Sequence, residues 1–152
     1  MAIWQFEVGL LPAASDLLVL SERGVDLAAP GRYAIRALRP LLEAAFGRPC
    51  RDGRGIVSYG SPEGNRIDLI EGRSAQGAIW AAIDARADSD DFCRLVCSIA
   101  RQLDCELFSP ELELRMAPRR PALLPALMAS RAWTFALEPG LSRPSAYGRL
   151  PR

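Results

Sequence analysis

Three short alternating stretches between residues 56 and 87 constrain the fold more than any other feature of this sequence. Apolar and polar residues alternate over 56–60, 66–71 and 78–87, which is the period of a strand with one buried face. The connections between them are the polar turn sequences GSPEGN and GRSAQG. Parallel neighbours need a crossover of about a dozen residues or more, so these stretches are predicted to form an antiparallel meander.

The same period assigns side chains to the two faces of the meander. We expect the core face to carry Ile67, Leu69, Ile79 and Ile83. The outer face would then carry a tryptophan among charged residues: Arg66, Asp68, Ile70, Trp80, Ala82, Asp84 and Arg86. In the first connection, Pro62, Gly64 and Asn65 are expected to supply the fixed and positive φ values of a tight turn.

Periodic segments on either side of the meander predict a further strand and a long helix. Apolar residues alternate with polar ones from Trp4 to Leu10, which predicts a strand near 3–10 with Trp4 and Phe6 in the core. We expect this strand to be an antiparallel neighbour of the meander strands. The sequence DSDDF is typical of a helix start, with Ser89 as the cap and two aspartates in the first turn. We expect this helix to span 90–104 and to cover the face that carries Ile79, Ala81 and Ile83.

The remaining segments predict shorter elements. Pro40 belongs in a first turn, so we expect a helix near 40–47 and a separate helical turn at 32–38. The apolar run 17–20 is either a strand or a packed loop, and SERGVD after it reads as a turn. Alternation over 112–116 predicts a strand, and Pro121 opens a helix. The helical pattern continues after it through Ser130, Trp133 and Phe135, so we expect either one helix or paired helices there, with Trp133 in the core.

These elements predict an α+β fold in which an antiparallel meander sheet carries its helices on one face. The chain has 152 residues, which suits one domain, and 49% of them are apolar, which is typical of a globular protein. We assign 1–137 to a single domain and 138–152 to a loosely ordered tail rich in proline and arginine. No apolar run has the length of a membrane span and the N-terminus lacks a basic segment, so we expect a cytoplasmic protein without membrane contact.

The amino-acid composition excludes several kinds of catalytic and metal-binding site. The chain has no histidine, which excludes Ser-His and Cys-His nucleophiles and imidazole metal ligands. Its four cysteines lack the paired spacing of a zinc site, so we expect reduced, buried thiols, no metal and no cofactor. The basic residues are all arginine, but 18 acids oppose the 19 arginines, and we expect no nucleic-acid partner. The sequence also lacks the usual nucleotide-binding and hydrolase motifs.

Several motifs together resemble a known group of proteins. They are the W-x-F of the first strand, SYGSPEGNRIDL, IDAR ahead of a helix that starts with DFC, and SRAWTFALEP near the end. This combination looks like small uncharacterised bacterial proteins, some of which resemble immunity proteins of polymorphic toxin systems. The resemblance implies a protein that binds and blocks a cognate toxin and has no catalytic activity. These families share no contact motif, so the resemblance assigns no binding residue.

The main functional hypothesis is therefore a protein-binding module that uses the outer sheet face and its rim. Its candidate contact residues are Tyr59, Glu63, Asn65, Arg66, Asp68, Glu71, Trp80, Asp84 and Arg86. Residues 58–91 sum to a charge of −4, so the partner, which the resemblance implies is a cognate toxin, is expected to have a basic surface. An adaptor or chaperone for a secreted effector is an alternative with the same kind of surface.

Two other interpretations concern the carboxylates of the meander. Asp68 and Asp84 could cooperate with Arg86 in acid–base catalysis if their surroundings separate their pKa values. In the plainer interpretation, Asp68 and Arg86 form an ordinary cross-strand ion pair on a solvated sheet face.

Overall fold

The structure is a computed structural model that describes residues 1–13, 18–21, 24–27, 32–71 and 77–140. It confirms the α+β class, with four helices and a seven-stranded antiparallel sheet in the described residues. The strands are β1 (Gln5–Pro12), β2 (Leu18–Ser21), β3 (Gly24–Leu27), β4 (Cys50–Arg51), β5 (Ile56–Gly60), β6 (Arg66–Ile70), β7 (Ala78–Asp84), β8 (Cys105–Ser109) and β9 (Leu114–Met116). The helices are α1 (Arg32–Phe46), α2 (Asp90–Gln102), α3 (Arg120–Met128) and α4 (Arg131–Leu137).

The large sheet has the strand order β4-β5-β6-β7-β1-β8-β9. Strands β5, β6 and β7 form the predicted antiparallel meander, and β1 lies antiparallel between β7 and β8. Register places Asp68 opposite Trp80 and Arg66 opposite Ala82. The predicted division of the meander into two faces is therefore confirmed for these residues.

One face of the large sheet and all four helices share a single hydrophobic core. From the sheet, the core takes side chains such as Phe6, Ile67 and Ile83, and from α2 it takes Val96 and Ile99. The prediction that the helix after residue 89 covers this face is confirmed, and two aspartates occupy its first turn as expected. Among the described residues, no helix combines the length and apolar character that crossing a bilayer would require.

The structure decides three predictions about the helices. Helix α1 runs unbroken through Pro40, because its buried stripe of Ile35, Leu38 and Leu42 packs on the core on both sides of the proline. Ser89 is the N-cap residue of α2 as expected, but its side chain accepts no capping hydrogen bond, and its hydroxyl donates to the backbone oxygen of Asp84. Of the two alternatives after residue 120, a single helix or paired helices, the structure has the pair: α3 ends at Met128 and α4 follows as a separate helix.

Ser130 separates α3 from α4. Its hydroxyl oxygen accepts a hydrogen bond from the backbone N–H of Trp133, which makes Ser130 the N-cap of α4. Trp133 is half-buried against the core, as expected. Trp4, in contrast, was expected in the core but is half-buried outside it, because its ring lies under the guanidinium of Arg86.

The strand predictions need smaller corrections. The strand expected over 112–116 begins only at Leu114, and the alternation did not reveal β8 or β4. The run 17–20 forms β2 over 18–20, so the strand alternative is correct there, and part of the expected SERGVD turn belongs to β3. Parts of four predictions lie outside the described residues. They are residue 17 of the apolar run, residues 22–23 of SERGVD, residues 72–76 of the GRSAQG turn, and residues 141–152 of the tail.

Gly60 provides the left-handed residue of the turn between β5 and β6. Its φ is +99°, and a Cβ there would lie 2.3 Å from the backbone oxygen of Asn65. The expectation that Gly64 and Asn65 supply positive φ values is therefore wrong. The positive φ therefore falls at the last residue of β5, directly before the turn at residues 61–65.

Candidate functional site

The sheet face opposite the helices, here called the outer face, carries the side chains of Ser58, Asp68, Trp80 and Glu7. Ser58, Asp68 and Trp80 are direct cross-strand neighbours on β5, β6 and β7. On β1, Gly9 stands opposite Trp80 and Glu7 stands opposite Ala82. Register thus brings residues from four strands together around the indole of Trp80.

Trp80 is held in place by apolar neighbours. It is half-buried and packs against Leu11 and Phe108, which are 0% and 4% exposed and belong to a cluster separate from the main core. Gly9, its cross-strand partner, has no side chain, so large neighbours can cover the backbone there. Trp80 is therefore a preorganised aromatic residue on the outer face, as the sequence predicted.

Asp68 has its own partners on the outer face. Its carboxylate accepts a hydrogen bond from Ser58 Oγ at 2.6 Å and one from Arg66 Nε at 3.0 Å. The predicted cross-strand ion pair between Asp68 and Arg86 does not form, because Arg66 lies closer on the same strand and face. Arg66 also donates to the backbone oxygen of Pro62 at 2.8 Å.

Glu7 is an outer-face residue that was not among the sequence candidates. It is half-buried, and burial and the nearby Asp68 raise its pKa above the ordinary value, while Arg66 and the N-terminal amine oppose the change. Alternation already placed Glu7 on the polar side of β1. The sequence predicted that this strand is an antiparallel neighbour of the meander, and the structure confirms it, but the register with β7 that brings Glu7 close to Trp80 could not be predicted.

The turn at residues 61–65 is tied to the loop at residues 85–89 by a polar network, here called the loop clamp. Asn65 Oδ1 accepts hydrogen bonds from the backbone N–H of Asp84 at 2.8 Å and from Ser89 Oγ at 3.1 Å. Arg86 donates through Nε and Nη2 to the carboxylate of Asp84, and through Nη2 to the backbone oxygen of Glu63. The two loops therefore form one rigid end of the sheet.

The N-terminal segment also makes hydrogen bonds to the turn of the loop clamp. Trp4 Nε1 donates to the backbone oxygen of Glu63 at 2.6 Å, and Gln5 Nε2 donates to the backbone oxygen of Gly64 at 2.7 Å. The guanidinium of Arg86 lies over the Trp4 ring, 4.0 Å from its centroid. This cation–π contact and the ion pair with Asp84 share one arginine.

The loop clamp changes the interpretation of three candidate contact residues. Asp84 is only 6% exposed, so a partner protein cannot reach it, and the expectation that it lies on an accessible face is wrong. Burial raises the pKa of Asp84, but hydrogen bonds from the side chain and backbone of Arg86 outweigh burial and hold it below its usual range. The side chains of Asn65 and Arg86 belong to the same hydrogen-bond network, so they stabilise the fold rather than wait for a partner.

Two more candidates lie away from the outer face. Tyr59 is 0% exposed and points into the core, because it shares the parity of buried Val57 and stands opposite Ile67; its assignment as a contact residue is wrong. Glu71 pairs with Arg39 of α1 at the end of β6. Of the sequence candidates, the outer face therefore brings together Arg66, Asp68 and Trp80.

The predicted carboxylate pair is not assembled. Asp68 stands opposite Trp80, whereas Asp84 lies four residues further along β7 and opposite Gln5. At about 3.3 Å per residue the two carboxylates are on the order of 13 Å apart along the strand. Each is bound to its own arginine, so they do not share a proton or a substrate position.

The described residues also contain a small packing void, and they form no metal centre. A small apolar void of about 10 Å³ lies between the sheet and α2, lined by Leu10, Ile67, Ile79, Ala81, Val96 and Ile99. No group of three acidic or cysteine side chains in the part of the chain that the structure describes could hold a metal ion. The void is apolar on every side and is a packing gap rather than a ligand site.

The four cysteines are free thiols, and three of them are buried. Burial raises the pKa of Cys93 and of Cys105 to about 11. Cys50 was expected to be buried but is exposed, because it lies on the short edge strand β4.

No protein-family model, curated protein or solved structure matches the chain. Its function is therefore inferred from its own residues.

Proposed function

We propose that this protein is a non-catalytic protein-binding module whose contact surface is the outer face around Trp80. The observation that carries the proposal is the half-buried indole held by Leu11 and Phe108 beside the charged residues Asp68 and Arg66. A large aromatic side chain that is already fixed loses little conformational entropy when a partner covers it. Tryptophan and arginine are also the residues most often found at the energetic centre of an interface.

The partner class is a bacterial toxin with a basic surface, which makes the protein an immunity protein. The motifs from the first strand to the last helix support this class, because they resemble small uncharacterised bacterial proteins, some of which resemble immunity proteins. Charge supports it too, because the carboxylates of Glu7 and Asp68 outnumber the guanidinium of Arg66 on the outer face around Trp80. Opposite charges on the two surfaces would speed association at low salt.

The test compares affinities for a purified partner. The product of the adjacent gene is co-expressed with this protein, purified, and titrated by calorimetry against wild type and Trp80→Ala. We expect Trp80→Ala to weaken binding by about 30-fold or more, the effect of losing a central aromatic anchor. Leu137→Ala is the matched control, because Leu137 is an exposed apolar residue on α4, away from the outer face.

A second variant separates loss of contact from loss of folding. Trp80→Ala also uncovers Gly9, so its folding is checked by circular dichroism and thermal unfolding. Ser58→Arg adds bulk to the outer face and leaves the tryptophan in place. If neither variant weakens binding when both are folded, the outer face is not the contact surface.

The immunity and adaptor roles differ in what happens to the partner's activity. An immunity protein suppresses the toxicity of its partner, so growth of cells that express the partner recovers when this protein is present. An adaptor or chaperone increases the yield or secretion of the partner and leaves the released partner active. Growth and secretion assays on the same strain pair therefore decide between the two roles.

A further inference from the structure

We propose that the outer face contains a site for a cationic side chain, arginine or lysine, which the partner places over Trp80 with Glu7 as its counterion. This inference rests on the proposed function, because it specifies the chemistry of the partner at the same surface.

The first support is that Glu7 lacks a partner where comparable carboxylates have one. Glu7 is half-buried, and its carboxylate makes no hydrogen bond or ion pair to another described residue, although Arg66 and the N-terminal amine lie near enough to affect its pKa. Four other carboxylates on the large sheet or at its strand ends are each paired with an arginine: Asp68, Glu71, Asp84 and Glu106. A partly desolvated carboxylate without a counterion is costly, and a cation from a partner would remove that cost.

The second support is the position of Glu7 relative to Trp80. Glu7 stands opposite Ala82, and Trp80 lies two residues along β7 on the same face. Diagonal neighbours of this kind are about 7–8 Å apart, within reach of a long side chain that contacts both. The residue between Glu7 and Leu11 on this face is Gly9, which adds no side chain of its own.

The third support is that the chain contains the same arrangement elsewhere, built from its own residues. Arg86 lies over the ring of Trp4 and is paired with the carboxylate of Asp84. At Trp80 the aromatic ring and the carboxylate are present. The nearest arginine on this face, Arg66, already binds Asp68 and the backbone oxygen of Pro62. A partner would supply the missing cation.

Charge complementarity selects this occupant over others. A cation over a tryptophan ring gains about twofold to thirtyfold in affinity, depending on how far it is desolvated. An apolar or acidic partner would bury Glu7 further without neutralising it. The charged groups that face Glu7 are Asp68 and Arg66 from β6 and the N-terminal amine, and a bound cation would offset Asp68.

The experiment uses a short blocked peptide, acetyl-Ala-Arg-Ala-amide, and the isosteric citrulline peptide, which has the same shape without the charge. Both are titrated into the full-length ¹⁵N-labelled protein, and the indole resonance of Trp80 is followed by NMR, with its assignment taken from Trp80→Phe. We expect the arginine peptide to shift this resonance and the backbone resonance of Glu7. The citrulline peptide should cause no such shift, and the Trp4 indole should not move.

Glu7→Gln tests the counterion. It should weaken binding of the arginine peptide by about fivefold or more, the usual scale for one partly buried ion pair. Glu63→Gln is the matched control, because Glu63 is an exposed carboxylate at the end of the sheet, and it should have no effect. Equal shifts with both peptides, no shift with the arginine peptide, or no effect of Glu7→Gln would each overturn the cation site.

The purified partner separates failure of this inference from failure of the proposed function. If Trp80→Ala weakens partner binding and Glu7→Gln does not, the outer face is the contact surface and the cation site is wrong. If neither substitution weakens it, both proposals are wrong. If both do, and the arginine peptide competes with the partner whereas the citrulline peptide does not, both are supported.

Discussion

Replacing Asn65 with alanine should destabilise the protein because Asn65 holds two loops together. Its side-chain oxygen accepts hydrogen bonds from the buried backbone N–H of Asp84 and from the hydroxyl of Ser89. Ser89 has one hydroxyl proton and can keep its bond to the backbone oxygen of Asp84. The N–H of Asp84 has no such alternative, so the substitution leaves one buried donor unsatisfied.

The expected loss follows from that single donor. An unsatisfied buried N–H costs about 1–3 kcal/mol. For a protein of this size each kcal/mol lowers the melting temperature by about 2–4 °C, so Asn65→Ala should melt about 2–12 °C lower than wild type.

Two measurements check this prediction. Calorimetry or circular dichroism gives the melting temperature, and amide exchange by NMR reports on the N–H of Asp84, which should exchange faster in the variant. Ser61→Ala is the control, because Ser61 is an exposed residue of the same turn, and it should change stability by less than about 0.5 kcal/mol. If Asn65→Ala unfolds like Ser61→Ala and the Asp84 amide stays protected, the loop clamp does not stabilise the fold as described.

Three further predictions concern single side chains. The pKa of Glu7 is raised above its ordinary value of 4.5, so the folded state binds this proton more tightly than the unfolded state does. Ionised Glu7 therefore lowers the free energy of unfolding once the pH has risen through the folded pKa. Glu7→Gln should therefore raise the melting temperature at pH 7 and lose that advantage below pH 4.5, and a pH-independent difference would contradict this. A thiol reagent should modify one cysteine quickly in the native protein, the exposed Cys50, and all four after denaturation; rapid native modification of Cys93 or Cys105 would show that those thiols are accessible. The buried hydroxyl of Tyr59 has no hydrogen-bond partner among the described residues, so Tyr59→Phe should keep or raise stability by up to about 1 kcal/mol in denaturant unfolding, and a clear loss would refute this.

The meander could be predicted from the sequence because its connections are short. Two strands joined by a few polar residues can pair only as antiparallel neighbours, so alternation fixed both the partners and the faces of β5, β6 and β7. Tyr59 could also have been placed correctly. It shares the parity of Val57, which marks it as a core residue.

The surface of the candidate site could not be predicted in the same way. Asp84 shares the outer parity of Trp80, but the turn at 61–65 folds against it and buries it, and alternation carries no information about that turn. The proximity of Glu7 to Trp80 depends on the pairing of β1 with β7, which joins residues far apart in the sequence. The alternation of a strand shows which face of the sheet a side chain lies on. Whether that side chain is buried, and which residue it pairs with, depends on contacts between distant parts of the sequence.

The most direct test of the account compares two variants for affinity to the purified partner. Trp80 is the proposed anchor, and Glu63 is an exposed carboxylate at the loop clamp, whose proposed role is structural. Calorimetric titration should show that Trp80→Ala binds about 30-fold more weakly than wild type or worse, and that Glu63→Gln binds like wild type. Unchanged binding by folded Trp80→Ala together with weakened binding by Glu63→Gln would place the contact surface at the loop clamp and contradict the account.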